Sequence, residues 1–190
     1  TVNVRKVAAE DAGGGLTRER GYTDVDGLIT DVPGIVLSTF YADCVPLFFV
    51  DPVHRAIGLS HSGWRGTVNK MGKVTVELMQ KEYGTDPSQV VAAIGPSICR
   101  DCYEVSEDVI EEFRAGFDEA LWPDLFCRKE NGKYQLDLWR ANQAVLAEAG
   151  VCKENTAVTN LCTHCNPEIL FSHRSTGTAR GNLSAFLALV

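Results

Sequence analysis

"VPLFFVDPVHRAIGLSHSGWRG", residues 45–66, contains two apolar runs around a turn, followed by an abrupt change of character. VPLFFV (45–50) and AIGLSH (56–61) are each one strand long, and Asp51-Pro52 between them is a turn former, so the pair predicts a hairpin. Both runs are near-continuous rather than alternating, the pattern of strands buried on both faces. At Ser60-His61-Ser62-Gly63-Trp64-Arg65-Gly66 a histidine closes the second run, and a tryptophan and an arginine stand between two glycines. Packing alone does not call for that set.

Working outward, GLI (27–29) and GIVLSTF (34–40) predict two earlier strands. On the other side a helix should begin near Thr67. Val68, Met71, Thr75, Leu78 and Met79 fall at offsets 0, 3, 7, 10 and 11, and Gly84 ends the stripe. VVAAIG (90–95) reads as a buried strand stopped by Pro96. Ser106 can cap a helix with an acidic first turn (Glu107, Asp108) and an apolar face of Val109, Ile110, Phe113 and Phe117. Asp137 can cap another with Leu138, Ala141 and Val145 inward and Gly150 as its stop. TAVTNL (156–161), EILF (168–171) and LSAFLALV (183–190) are the expected closing strands. The order predicts a mixed α+β chain rather than a βαβ repeat. No glycine-rich fingerprint follows a strand, so a Rossmann or P-loop reading has no support.

Bulk properties narrow the class. With 190 residues, 45% hydrophobic and 23% charged, the chain suits one domain or two small subdomains sharing a core. No apolar run nears the ~20 residues of a membrane helix, and there is no signal-peptide pattern. A net charge of −7 argues against general nucleic-acid binding, yet leaves room for a small anionic substrate held by a few converging cations. The first residue, Thr1, points to a trimmed chain. Seven cysteines without an export signal read as reduced thiols in a cytoplasmic protein.

Three groups of residues carry chemistry. The open end of the predicted hairpin brings Cys44 of YADC (41–44) beside His61, half of a zinc shell or else a buried thiol with a hydrogen-bonded core histidine. Trp64, Arg65 and Gly66 then fall at the turn into the predicted helix, where free N–H groups and a forked guanidinium favour an anion; the alternative for Arg65 is a surface ion pair. CRDC (99–102) and CTHC (162–165) look like two halves of a zinc ribbon, but 59 residues lie between Cys102 and Cys162, against ~15–20 in such modules. That spacing favours packed thiols, with a four-cysteine metal site and a redox pair as alternatives. FSHRSTGTARGN (171–182) offers His173, Arg174 and Arg180 as either a phosphate-holding loop or a solvated turn.

Taken together and in order, ADCVPLFFVDP, GLSHSGWRGT, IGPSICRDCYEV and LCTHCNPEILFSHR resemble the multicopper polyphenol oxidoreductase (laccase-domain) family. The likeness runs over residues 1–190 as a single unit. It implies purine nucleoside phosphorylases that depend on zinc and also deaminate adenosine, with two α+β subdomains like those of cytotoxic necrotizing factor-type cysteine hydrolases. The family's metal ligands are a cysteine and two histidines. Two carry over, onto Cys44 and His61. The third, in a Q-x-H segment, is expected just ahead of Thr1; His54, His164 and His173 do not lie at its position.

The resemblance implies that zinc activates water for attack on C6 of adenine. Asp43 then acts as a proton shuttle or as a partner orienting the ligands. For phosphorolysis, phosphate is expected near Arg65 and Arg174. Trp64 either stacks on the purine or fills the core. Adenosine, inosine, guanosine and methylthioadenosine are the implied substrates of a monomer or small homo-oligomer. Three rivals remain. A copper-dependent laccase needs an axial methionine and several histidine clusters, whereas the chain has Met71 and Met79 on a core stripe and four histidines. A cysteine hydrolase would use Cys44 with His61 as base. A non-enzymatic scaffold would hold zinc on Cys99, Cys102, Cys162 and Cys165.

Overall fold

A computed structural model describes residues 1–190. Its centre is a six-stranded sheet in the order β1 (Val4–Lys6), β2 (Gly27–Thr30), β5 (Ala56–Ser62), β4 (Val45–Asp51), β6 (Val91–Ile94) and β10 (Thr156–Val158). The outer pairs β1–β2 and β6–β10 are parallel and the rest antiparallel. β3 (Val36–Tyr41) and β11 (Leu183–Ala188) form a second, antiparallel sheet. A third contains β7 (Glu104–Val105), β9 (Tyr134–Leu136) and β8 (Phe126–Arg128). Six helices complete the chain: α1 (Trp64–Val68), α2 (Met71–Tyr83), α3 (Glu107–Gly116), α4 (Trp122–Leu125), α5 (Leu138–Glu148) and α6 (His173–Thr176). The mixed α+β class expected from the sequence is what forms.

The β4–β5 hairpin is the two-sided core element that its continuous apolar runs predict. Val45, Leu47 and Phe49 join the larger apolar cluster with Val76 and Met79 of α2 and Val145 of α5. Ile57 and Leu59 face the other way, against Leu37, Tyr41 and Ala185 of the β3–β11 sheet. Leu47, Phe49, Ile57 and Leu59 are at most 1% exposed, so each contributes on the order of 1.5–3 kcal/mol by leaving water. Gly58 lets α2 lie close on the sheet: a β-carbon there would stand 3.2 Å from Thr75 Cγ2 and 3.3 Å from Met79 Sδ.

Several expectations need correction. The helix expected from Thr67 to Gly84 is two helices, α1 and α2, broken at Lys70, which takes a left-handed conformation with φ 63°. Tertiary contacts hold that break: the Lys70 ammonium lies 3.7 Å from the Phe117 ring centroid and 3.0 Å from Glu148. Met71, Thr75 and Met79 are buried as the stripe requires, and Gly84 ends α2 in a left-handed cap. EILF (168–171) is not a strand. The Ile169 and Leu170 N–H groups both donate to the Asn166 carbonyl, which curls the segment and leaves Ile169 66% exposed. β1 and the strands of the β7–β9–β8 sheet are only two or three residues long, too short for a pattern to single them out in the sequence.

Candidate active site

The site is built at the open end of the hairpin. Val45 pairs with Ser62 and Pro46 with His61, so Cys44 faces Gly63, and the diagonal Cys44–His61 pair shares the face turned toward β3 and β11. Both side chains line a cavity of about 360 Å³, together with Asp26, Trp64, Arg65 and Tyr103, within the range of small-ligand pockets. A neighbouring hollow of about 590 Å³, between β3 and residues 11–16, also reaches Asp26 and His61.

Gly63 leaves the space between the two candidate ligands open. A β-carbon at that position would lie 3.1 Å from Cys44 Sγ and 4.0 Å from His61 Cε1. A thiol and an imidazole at the edge of the same empty point fit a borderline-soft divalent ion, and zinc takes that donor set. The His61 ring is further oriented by Asp26. Its backbone N–H donates to the Asp26 carbonyl at 2.7 Å, and its Nδ1 stands 3.5 Å from Asp26 Oδ1, which leaves Nε2 for a ligand. Burial works against the Asp26 charge. The Thr1 hydroxyl and the His61 ring work in its favour. Burial and the adjacent Asp43 push the Cys44 thiol up to about 11. A free nucleophilic cysteine needs a lowered value instead.

Asp43 sits in the left-handed region with φ 80° and is 8% exposed. Its Oδ1 accepts from the Thr163 hydroxyl at 2.6 Å, its Oδ2 from the Arg174 N–H at 2.7 Å, and its carbonyl from the Ile98 N–H at 3.0 Å. Both carboxylate oxygens are thus engaged in tying three chain segments together beside Cys44. The turn carrying Trp64 and Arg65 is fixed from below by a buried chain of polar groups: Ser62 Oγ donates to Asn142 Oδ1 at 3.0 Å and Asn142 Nδ2 to Thr67 Oγ1 at 3.1 Å. Arg65 has no carboxylate partner; its guanidinium lies 4.1 Å from the Trp64 ring centroid. α1 has only five residues, and the cationic feature of this turn is the Arg65 side chain. The Arg174 guanidinium is held by the Glu104 carbonyl at 2.9 Å and by the Tyr103 ring, and does not line the cavity.

Sequence reasoning missed Asp26 and Tyr103. Burial pushes the Tyr103 hydroxyl up to about 12, so it is a neutral donor at physiological pH. Asp26 becomes visible only once β2 is known to pair with β5. Met71 and Met79 are fully buried under the sheet and neither lines the cavity, so neither serves as an axial ligand beside Cys44 and His61. Cys99, Cys102, Cys162 and Cys165, expected foremost as packed thiols, are brought together with their sulfurs all within 4.8 Å of one another. All seven cysteines are free, and no helix is long and apolar enough to cross a membrane.

A family model described as multi-copper polyphenol oxidoreductase laccase matches residues 1–190. The chain belongs to this family. Within the laccase family's span, it is 36% identical over 188 residues to the purine nucleoside phosphorylase YlmD of Bacillus subtilis (strain 168), covering 98% of this chain and 66% of the relative. It is 39% identical over 165 residues to the adenosine deaminase RL5 of an unknown prokaryotic organism, covering 86% and 62%. The crystal structure of the Bacillus licheniformis hypothetical protein YfiH superposes with a TM-score of 0.92 at 31% identity, covering 100% of this chain and 71% of that one. The laccase-family chain therefore spans no more than 66% of the length of the two named relatives.

Proposed function

We propose that this chain carries the metal and anion subsites of a zinc-dependent purine nucleoside enzyme. Its reactions are phosphorolysis of adenosine, inosine, guanosine and methylthioadenosine, and hydrolytic deamination of adenosine. The observation that carries the reading is the convergence of Cys44, His61 and the unpaired Arg65 on one cavity of about 360 Å³. The relatives named as a purine nucleoside phosphorylase and an adenosine deaminase support the nucleoside class.

Cys44 and His61 would hold the zinc, with a third ligand from a histidine ahead of Thr1; Thr1 itself lines the cavity. When bound, zinc supplies Lewis acidity at the reacting group. Asp26 fixes the His61 tautomer and ring plane. Arg65 takes the phosphate oxygens through its forked donors, and the Trp64 indole beneath it holds the guanidinium in place. Tyr103 offers a neutral hydroxyl at the cavity wall. Asp43 acts as the brace that keeps Cys44 aimed, with Arg174 fixed through its backbone rather than through its charge. Seven free thiols favour a reducing compartment and hence a cytoplasmic setting.

The test is release of free base from each nucleoside with inorganic phosphate, and of hypoxanthine or inosine from adenosine, by the full-length protein with and without chelator. Activity that falls with chelator, returns with zinc and is abolished in Cys44→Ser and His61→Ala is the expected result. Turnover that survives both substitutions overturns the reading.

A further inference from the structure

Cys99 and Cys102 follow β6 by a few residues, and Cys162 and Cys165 follow β10 in the same way. Because β6 and β10 are parallel neighbours, their trailing loops emerge at one end of the sheet. A residual pairing of Ser97 with Cys162 continues the ladder into those loops: Ser97 N–H donates to the Leu161 carbonyl and Thr163 N–H to the Ser97 carbonyl, both at 3.2 Å. Topology thus closes the 59-residue gap that argued against a shared site.

All four sulfurs lie within 4.8 Å of one another, and Cys102 Sγ is 3.4 Å from Cys165 Sγ. Tetrahedral coordination at a zinc–sulfur distance of about 2.3 Å places sulfurs about 3.8 Å apart, so the four are already near ligand spacing. The Cys99 N–H donates to Cys162 Sγ at 3.3 Å, which ties the first C-x-x-C loop to the second. Thiols packed as apolar groups would be buried, yet Cys165 is exposed and Cys99 and Cys102 are only partly covered. That leaves a route for an ion to enter.

We propose that Cys99, Cys102, Cys162 and Cys165 form a second metal site, a closed four-thiolate shell for one zinc ion, separate from the Cys44–His61 pair. Four protein ligands leave no open position, so the role is structural. What it holds is the wall of the cavity. Thr163, between two of the cysteines, bonds Asp43, while Ile98 and Tyr103, on either side of the other pair, line the cavity. The ion fastens together the segments that meet at Asp43.

Cobalt replacement in the reduced, purified protein tests this. The greater part of the sulfur-to-cobalt charge-transfer absorption, that of four thiolates, is expected to persist in Cys44→Ser and to be lost in Cys102→Ser/Cys165→Ser, leaving only the weaker single-thiolate band of Cys44, with loss of one zinc per chain in the double variant. Absorption lost in Cys44→Ser and retained in the double variant overturns the proposal. A measurement on the unaltered chain guards against misfolding of the variant: zinc should slow alkylation of these four cysteines at least about tenfold, read by peptide mapping. Equal rates with zinc and with chelator, or isolation of a Cys102–Cys165 disulfide that takes up no metal once reduced, would refute it.

Discussion

Cys44 and His61 face a common point across the bare backbone of Gly63, 3.1 Å from the sulfur and 4.0 Å from the ring carbon. Gly63 has φ −72°, open to any residue, so the requirement for glycine here is one of space rather than backbone conformation. Gly63→Ala should therefore leave the fold intact, with a melting temperature within a few degrees of the parent. Its zinc affinity should fall about 10–100-fold, the range for disturbed ligand surroundings. Metal titration alongside thermal melting checks both parts, and undiminished affinity would remove Gly63 from the site.

Asp26 touches His61 and not the cavity's far wall, so its effect should be on metal retention. Asp26→Asn keeps the shape but loses the charge facing Nδ1. Zinc affinity should drop about 10–100-fold, with activity recovering in excess zinc. Failure of excess zinc to restore turnover would place Asp26 in the chemistry itself.

Arg65 separates the two proposed reactions. Arg65→Ala should raise the KM for phosphate about 10–100-fold, corresponding to the ~1.5–3 kcal/mol of a hydrogen bond to a charged group. Deamination of adenosine, which uses no phosphate, should change little. Arg65→Lys should recover part of the loss, because charge returns without the fork. Parallel loss of both activities would mean that Arg65 serves the fold.

Asp51 at the hairpin turn gives a pH signature. Burial opposes its charge, but the Val53 and His54 N–H groups at 2.9 and 3.0 Å and the His54 ring at 2.8 Å hold its carboxyl below the ordinary 3.8. A carboxyl lowered in the folded state contributes stability that is complete above its unfolded value and is lost as pH falls through the folded one. Asp51→Asn should cost about 1–3 kcal/mol at pH 7. That deficit should close as the pH drops below about 4, as followed by urea unfolding. A deficit independent of pH would mean that geometry, not charge, is what Asp51 contributes.

The hairpin, its two-sided burial, the apolar face of α3 and the Asp137-capped α5 are legible because local pattern and tertiary demand agree there. Ser106 stands before α3 as expected, but its hydroxyl donates to the Asp108 carboxylate and does not cap the helix. EILF was misread because apolar content alone does not supply a strand partner, and Asn166 captures its N–H groups first. The break at Lys70 has no local signal; it is held by Phe117 and Glu148, far away in sequence. Cys44 and His61 could be placed from the turn between them, whereas Asp26 and the two C-x-x-C pairs depend on which strands become neighbours across the sheet. Adjacent spacing in sequence carries no such information.

β5 is hydrogen-bonded on both sides, to β2 and β4, and covered by side chains on both faces. Amides in such a strand exchange with deuterium only when the whole molecule opens. His61 therefore has no private route to disorder. A variant weakened in this core should lose the proposed metal site and its structure in one transition, which added zinc should shift upward as a single event.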